Sequence, residues 1–253
     1  MDLLQLLILA VLGVVGGVLA GVAGVGGGIV FVPTLVYVAG WDIKEAVAAS
    51  LVIIIFSSIS GTIRNQRGQD PVDWRTAFIL SSTLAPATLI GVYIARVSPE
   101  AVVQVVFATI LFALAYPTAR GRPEVDPNAK RLPIPLFLLT GVFIGALSGL
   151  VGVGGGVVMV PLMMLGMGHA TKRAVSTSLA VVMFAGVVGS IGYIATGFSD
   201  LLSLPPLIVG SMIGAWFGVR LREWLPEKIV RYGFAIFMVI VAFRILGDAT
   251  GIL

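Results

Sequence analysis

The sequence predicts an all-α integral membrane protein made of two inverted-topology repeats of five apolar helical segments each, and three observations carry that expectation. Hydrophobic residues fill 58% of the chain and charged residues 11%, against about 25% charged in a typical soluble domain. Ten apolar runs recur from one end to the other. The chain also aligns with itself at an offset of 128 residues.

In order, the runs of the first half are Leu3–Ala23, Ile29–Ala39, Ala46–Ile63, Thr76–Ala95 and Ala101–Ala119. Most approach the roughly 20 residues that cross about 30 Å of hydrocarbon. The second run does not: at 1.5 Å per residue it spans about 16 Å, half the hydrocarbon core. Leu3–Ala23 has no basic stretch before it and no small-residue cleavage site after it, so it is expected to be a membrane segment rather than a removable signal. The polar stretch from Arg120 to Pro135 divides the chain into an N-terminal membrane repeat (1–119), a cytoplasmic linker (120–135) and a C-terminal membrane repeat (136–253). The second half then repeats the order with Leu136–Val151, the short Val157–Met167, Ala174–Thr196, Leu204–Val219 and Ile229–Leu246.

The repeat is explicit in residues. GVVGGVLAGVAGVGGGIVFVPTLVYVAG, from Gly13, matches GVFIGALSGLVGVGGGVVMVPLMMLGMG, from Gly141, at 14 of 28 positions. The correspondence continues from Ser50-Leu51 to Ser178-Leu179 and, after a one-residue deletion, from Gly91 to Gly218. Such self-similarity marks duplication. If the first two segments of each half form a hairpin, Lys44, Arg96 and Arg244 fall on one face and the other 13 of the 16 basic residues on the opposite face. If each pair is instead one broken crossing, the split is 8 to 8. The positive-inside bias favours the hairpin, with the basic face in the cytoplasm. Five segments is an odd number, so the second half enters the membrane upside down and both termini are expected outside the cell membrane. Secondary transporters are commonly built this way.

Each hairpin tip carries GVGGG, at Gly24–Gly28 and Gly152–Gly156. An irregular tip at membrane depth must not face lipid, so it is expected to line a cavity within the protein. Glycine permits the positive φ at which successive N–H groups point to one spot, and a helix N-terminus follows each tip. Both features favour an anion. The substrate-binding candidates are therefore Gly24, Gly26, Gly27, Gly28, Gly152, Gly154, Gly155 and Gly156, with Ser148, Ser50, Thr177 and Ser178 as hydroxyl donors to the substrate. Glycines at this density also serve close helix packing, but two copies, each before a half-length segment, favour a site. Neither copy reads GxxxxGK[ST], which argues against a nucleotide loop.

The remaining chemistry is sparse. With no cysteine and one histidine, His169, the chain has no disulfide, no thiolate nucleophile and no histidine-rich metal site, and no cofactor is expected. His169 is read as an interfacial residue, and Lys172 and Arg173 as positive-inside anchors. The net charge of +4 sits in loops and speaks to orientation in a lipid bilayer rather than to nucleic acid.

At these residues the chain resembles the TauE/SafE sulfite-exporter family, also described as the four-toluene-sulfonate uptake permease family. The resemblance covers nearly the whole length and is carried by GVGGGIVFVP from Gly24, GVGGGVVMVP from Gly152, the Ser50-Leu51 and Ser178-Leu179 pairs, and RGQDPVDWR from Arg67. It implies transport of sulfite, sulfoacetate or related sulfur-containing anions across a prokaryotic inner membrane, with the matching glycine and Ser-Leu positions in the substrate pathway. The second copy departs at GYIATGFSD from Gly192, which lacks the basic residues of RNQRGQD from Arg64.

The expected function is thus export of a small anion by alternating access, with an anion channel or a non-transporting membrane scaffold as alternatives. An enzyme is disfavoured because the carboxylates fall in loops or at segment ends. The same placement implies export that follows the membrane potential without a proton relay. Single cysteines introduced at Asp2, Gln69, Asn128 and Gly251 test the topology with an impermeant reagent on intact cells. Labelling is expected at the two ends only, and the opposite pattern overturns the N-out, C-out arrangement.

Overall fold

Every apolar run becomes a helix, because a backbone surrounded by hydrocarbon must satisfy its own N–H and C=O groups. The computed structural model describes residues 3–120, 133–198, 204–222, 224 and 227–250. The helices are α1 (Leu3–Ala23), α2 (Gly28–Tyr37), α3 (Ile43–Gln66), α4 (Trp74–Val97), α5 (Glu100–Arg120), α6 (Ile134–Val151), α7 (Gly156–Met167), α8 (Thr171–Ala195), α9 (Pro205–Leu221) and α10 (Glu227–Thr250). Six of them, α1, α3, α4, α5, α6 and α8, are long and apolar enough to cross a membrane. Several begin before their apolar run because a polar residue starts the first turn: the Asp73 carboxylate, at the head of α4, accepts the Thr76 N–H at 3.2 Å. The expected linker loses Arg120 to α5 and Ile134 and Pro135 to α6. Its residues 121–132, and the end of the GFSD stretch, lie outside the described residues.

The helices pair across the two halves. α1 lies against α9, α4 against α6, α3 against α8 and α5 against α10. The first helix of each half thus packs on the fourth helix of the other, and exchanging α1–α5 for α6–α10 leaves this set of pairs unchanged. α3 and α8 form the centre, where Ser50, Ser57, Ser58, Ser176, Thr177 and Ser178 are all fully buried. The outside is apolar, with Leu4, Val11, Phe78, Phe143, Phe217 and Phe243 exposed, as a lipid-facing surface requires.

Close backbone approach drives the α1–α9 pair. Gly13, Gly17 and Gly21 on α1 face the α9 backbone at Leu207, Ser211 and Ala215, while Gly214 and Gly218 on α9 face Val14 and Val18. A Cβ on Gly13 would stand 2.7 Å from the Leu207 carbonyl oxygen. The equivalent glycines of α6, Gly141, Gly145 and Gly149, face α4 in the same way. Small residues at four-residue spacing let membrane helices gain dispersion contact and interhelical polar contacts that lipid cannot offer.

The short α2 folds back on α1. Phe31 packs against Gly16, fifteen residues earlier, which a straight continuation would hold about 22 Å away. Gly17→Val and Gly145→Val should each lower stability by about 1–3 kcal/mol through overpacking. Gly233→Ala, where an added Cβ meets nothing within 4 Å, should be neutral or stabilising by up to about 1 kcal/mol. Thermal unfolding of the purified variants in detergent checks both.

Candidate functional site

The two glycine tips meet at the centre of the molecule. Gly24, Gly26 and Gly27 have φ of 75°, 79° and 88°, and their counterparts Gly152, Gly154 and Gly155 have 73°, 75° and 73°. These left-handed values turn the chain between α1 and α2, and between α6 and α7, and any side chain there would be strained. Gly28 lies against Gly152 and Val153 of the other tip, and Gly156 against Gly24 and Val25. Ile54 of α3 and Val182 of α8, equivalent positions in the repeat, close over both tips.

Serines from the opposite half lock this arrangement. Ser50 Oγ donates to the Gly152 carbonyl at 2.7 Å, and Ser178 Oγ donates to the Gly24 carbonyl at 2.6 Å. Within the first half, Ser57 Oγ adds a bond to the Gly26 carbonyl at 3.0 Å. A hydroxyl has a single proton, so in this conformation Ser50 and Ser178 offer an anion only lone pairs, which repel it. Their expected place as substrate donors is therefore replaced by a bracing one. Thr177 has a different partner: its Oγ1 accepts the Asp73 N–H at 3.0 Å, which engages a lone pair and not its own proton. Ser148 differs again, being 1% exposed with no hydrogen-bond partner for its Oγ. It stands beside the second tip, its Cβ 3.8 Å from the point where a Gly155 side chain would begin.

The tip donors face no protein acceptor. Among the described residues, the backbone N–H groups of 25–29 and 153–157 make no hydrogen bond of good geometry, whereas Val30 and Phe31 already turn back to the Gly27 carbonyl and Val158 and Met159 to the Gly155 carbonyl. Two helix N-termini, each with unpaired N–H groups, therefore meet in one buried region, with Ser148 beside the second. Helix N-termini with unpaired N–H groups favour a negative partner. The expected open cavity is replaced by contact: nine of the ten tip residues are buried and Gly155 is partly accessible, because each tip fills the space in front of the other.

A polar cluster closes one end of the α3–α8 pair, and nothing in the sequence analysis anticipated it. His169 Nε2 lies 3.0 Å from Asp73 Oδ2, and Arg173 Nη2 lies 3.5 Å from the same oxygen. Partial burial pushes the Asp73 carboxyl up, and hydrogen bonds from His169 and Thr76 outweigh it and hold the group below the usual carboxylate range. The Asp73-x-x-Thr76 spacing, a helix-start signal, was the one trace in the sequence. The opposite end is closed by an aromatic contact, Trp41 against Phe198 with centroids 6.3 Å apart.

Removing a brace strands a buried carbonyl. Ser50→Ala and Ser178→Ala should each cost about 1–3 kcal/mol of stability, read by thermal unfolding, with anion affinity per folded molecule changed less than about threefold. Ser148→Ala should do the reverse, leaving stability within about 1 kcal/mol and weakening the affinity by roughly tenfold.

The comparisons agree with this architecture. A family model described as sulfite exporter TauE/SafE matches residues 9–245. Among curated proteins, the chain is 27% identical over 229 residues to the "Probable membrane transporter protein YunE" of Bacillus subtilis, covering 81% of this chain and 82% of that protein. It is 28% identical over 238 residues to a "Probable membrane transporter protein" of Haemophilus influenzae, covering 86% and 89%. It is 31% identical over 136 residues, 44% of this chain and 30% of the relative, to "Sulfite exporter TauE/SafE family protein 5" of Arabidopsis thaliana. No solved structure matches. With a family model spanning all but the ends, and helices built to cross a bilayer, the chain belongs to the TauE/SafE sulfite exporter family of multi-pass membrane transporters.

Proposed function

We propose that this transporter exports a small sulfur oxyanion, sulfite or an organosulfonate such as sulfoacetate, from the cytoplasm across the inner membrane by alternating access. The observation that carries the proposal is the pair of opposed glycine tips whose N–H groups, with the Ser148 hydroxyl, lack protein acceptors in a buried site. Gly26, Gly27 and Gly28 and their counterparts Gly154, Gly155 and Gly156 supply the backbone donors and Ser148 the hydroxyl, whereas the N–H groups of Gly24 and Gly152 are spent on the Ala20 and Ser148 carbonyls. Ser50 and Ser178 hold the tips in register. The donor set contains N–H and O–H groups without a carboxylate, which suits an oxyanion and offers little to a cation.

Two features support alternation between faces. The helix pairing is unchanged by exchanging the halves, so the two ends of the molecule are built alike. Each end is nonetheless closed by different chemistry, Asp73–His169–Arg173 at one and Trp41–Phe198 at the other. Opening either end would expose the tips to that side. The inside-negative potential favours outward movement of an anion by about 2.3 kcal/mol per charge per 100 mV, enough to drive efflux without a coupling ion.

In proteoliposomes with the potential clamped, sulfite or sulfoacetate flux should saturate, follow the potential and persist without a pH gradient. Gly155→Ala should reduce that flux by at least about tenfold, since its Cβ would press on the Ile144 side chain and stand against Ser148 while carrying about 1–2 kcal/mol of left-handed strain. Gly40→Ala and Gly168→Ala carry the same strain with nothing within 4 Å of the added atom and should retain flux. Equal loss in all three variants would assign the effect to strain and remove the tip from the site.

A further inference from the structure

From the tips, one face of α3 leads away through buried polar groups that the protein leaves unpaired. Ile54 packs on Gly26, Gly28 and Gly154. Residues four, eight and eleven positions on, Ser58, Thr62 and Asn65, return to within about 80° of the same helix face. They are 0%, 4% and 2% exposed. Ser58 Oγ, Thr62 Oγ1 and Asn65 Nδ2 have no hydrogen-bond partner among the described residues, an unfavourable state for a desolvated polar group. Asn65 Oδ1 accepts from Arg222 at 3.0 Å, which brings a guanidinium to the end of the file.

The file ends at an opening. Thr62 also lines a cleft of about 260 Å³, together with Gln66, Arg67, Trp74 and Met183. The Gln66 carbonyl oxygen accepts the Trp74 indole N–H at 3.2 Å, which leaves the amide NH₂ uncommitted. The exposed Arg67 and Gln66 beside the apolar walls of Ile59, Ile63, Trp74 and Met183 match a sulfonate head carried on a small organic body. Across the tips, α8 repeats the device in the other direction: Ser190, the counterpart of Thr62, is 4% exposed and its Oγ is likewise unpaired.

We propose that the Ser58–Thr62–Asn65 face of α3 is the passage between the Arg67 cleft and the glycine tips, and that the cleft is the entry subsite for a sulfonate or sulfite anion. This rests on the tips being the transport site. Three unpaired donors on one face, between a basic cleft and a buried anion-favouring centre, are unfavourable for packing alone and form a relay if an oxyanion passes from one to the next. Ser60, on the other side of α3, shows the contrast, because its Oγ is satisfied by the Met212 carbonyl at 2.7 Å.

The chain has no native cysteine, so thiol labelling of the purified full-length protein reads the passage directly. Ser58→Cys and Thr62→Cys should react with ethylsulfonate methanethiosulfonate at least about tenfold faster than with its trimethylammonium analogue, and methanesulfonate should slow the reaction. Ser60→Cys should react at least about tenfold more slowly than either. Adding Arg67→Gln to Thr62→Cys should reduce the preference for the anionic reagent. Absence of labelling at both positions, equal rates for the two reagents, or Ser60→Cys reacting as fast as the others would overturn the passage. Labelling needs no turnover, and flux is measured separately on the native sequence. Flux without charge-selective labelling rejects the passage and keeps the transport function, while charge-selective labelling without flux of any oxyanion keeps the passage and rejects export.

Discussion

The structure depends on how two irregular stretches of backbone are satisfied in the middle of a membrane. A break in a helix at that depth exposes N–H and C=O groups that neither lipid nor the helix itself can pair. Here one carbonyl of each tip is satisfied across the molecule, because Ser50 of the first half serves Gly152 of the second and Ser178 of the second half serves Gly24 of the first. The N–H side is left open toward the centre. That division is what the proposed anion site rests on: the Gly24 and Gly152 carbonyls are held by serines, while the neighbouring N–H groups have no acceptor among the described residues.

Cross-bracing also makes the halves dependent on each other. The Gly24 and Gly152 carbonyls find their hydroxyl partners only in the other repeat, and neither first helix has its principal neighbour in its own, since α1 packs on α9 and α6 on α4. The glycine faces of α1 and α6 reinforce this, because their close approach is to the other half's backbone. A single repeat would leave buried carbonyls unpaired and open glycine grooves facing lipid.

The ends of the central α3–α8 pair matter for function because the tips themselves are closed by contact with one another. One end is held by hydrogen bonds and charge around Asp73, the other by the aromatic pair Trp41 and Phe198. The first is sensitive to hydration and charge, the second to apolar packing. The two ends thus differ in chemistry although the helix pairing is repeated, an asymmetry that the duplicated sequence alone conceals: Trp41 and His169 are equivalent positions in the repeat and lie in the contacts that close opposite ends.

Much of this protein was legible in the sequence. Each of the ten apolar runs became a helix, since in hydrocarbon a long apolar stretch has little alternative, and the internal repeat located both tips, since only glycine tolerates the left-handed turns found there. The family followed from the same motifs. Only the tertiary structure decided which hydroxyls are free. Ser50, Ser148, Thr177 and Ser178 are indistinguishable as donors in a sequence, yet one hydroxyl proton goes to whichever carbonyl lies nearest. Folding brings Gly152 to Ser50 and Gly24 to Ser178, sets Thr177 against Asp73, and leaves Ser148 alone. The Asp73–His169 contact joins residues 96 apart and was hidden for the same reason: local pattern determines where a helix forms, but which polar atoms meet depends on how helices from distant parts of the chain are laid side by side.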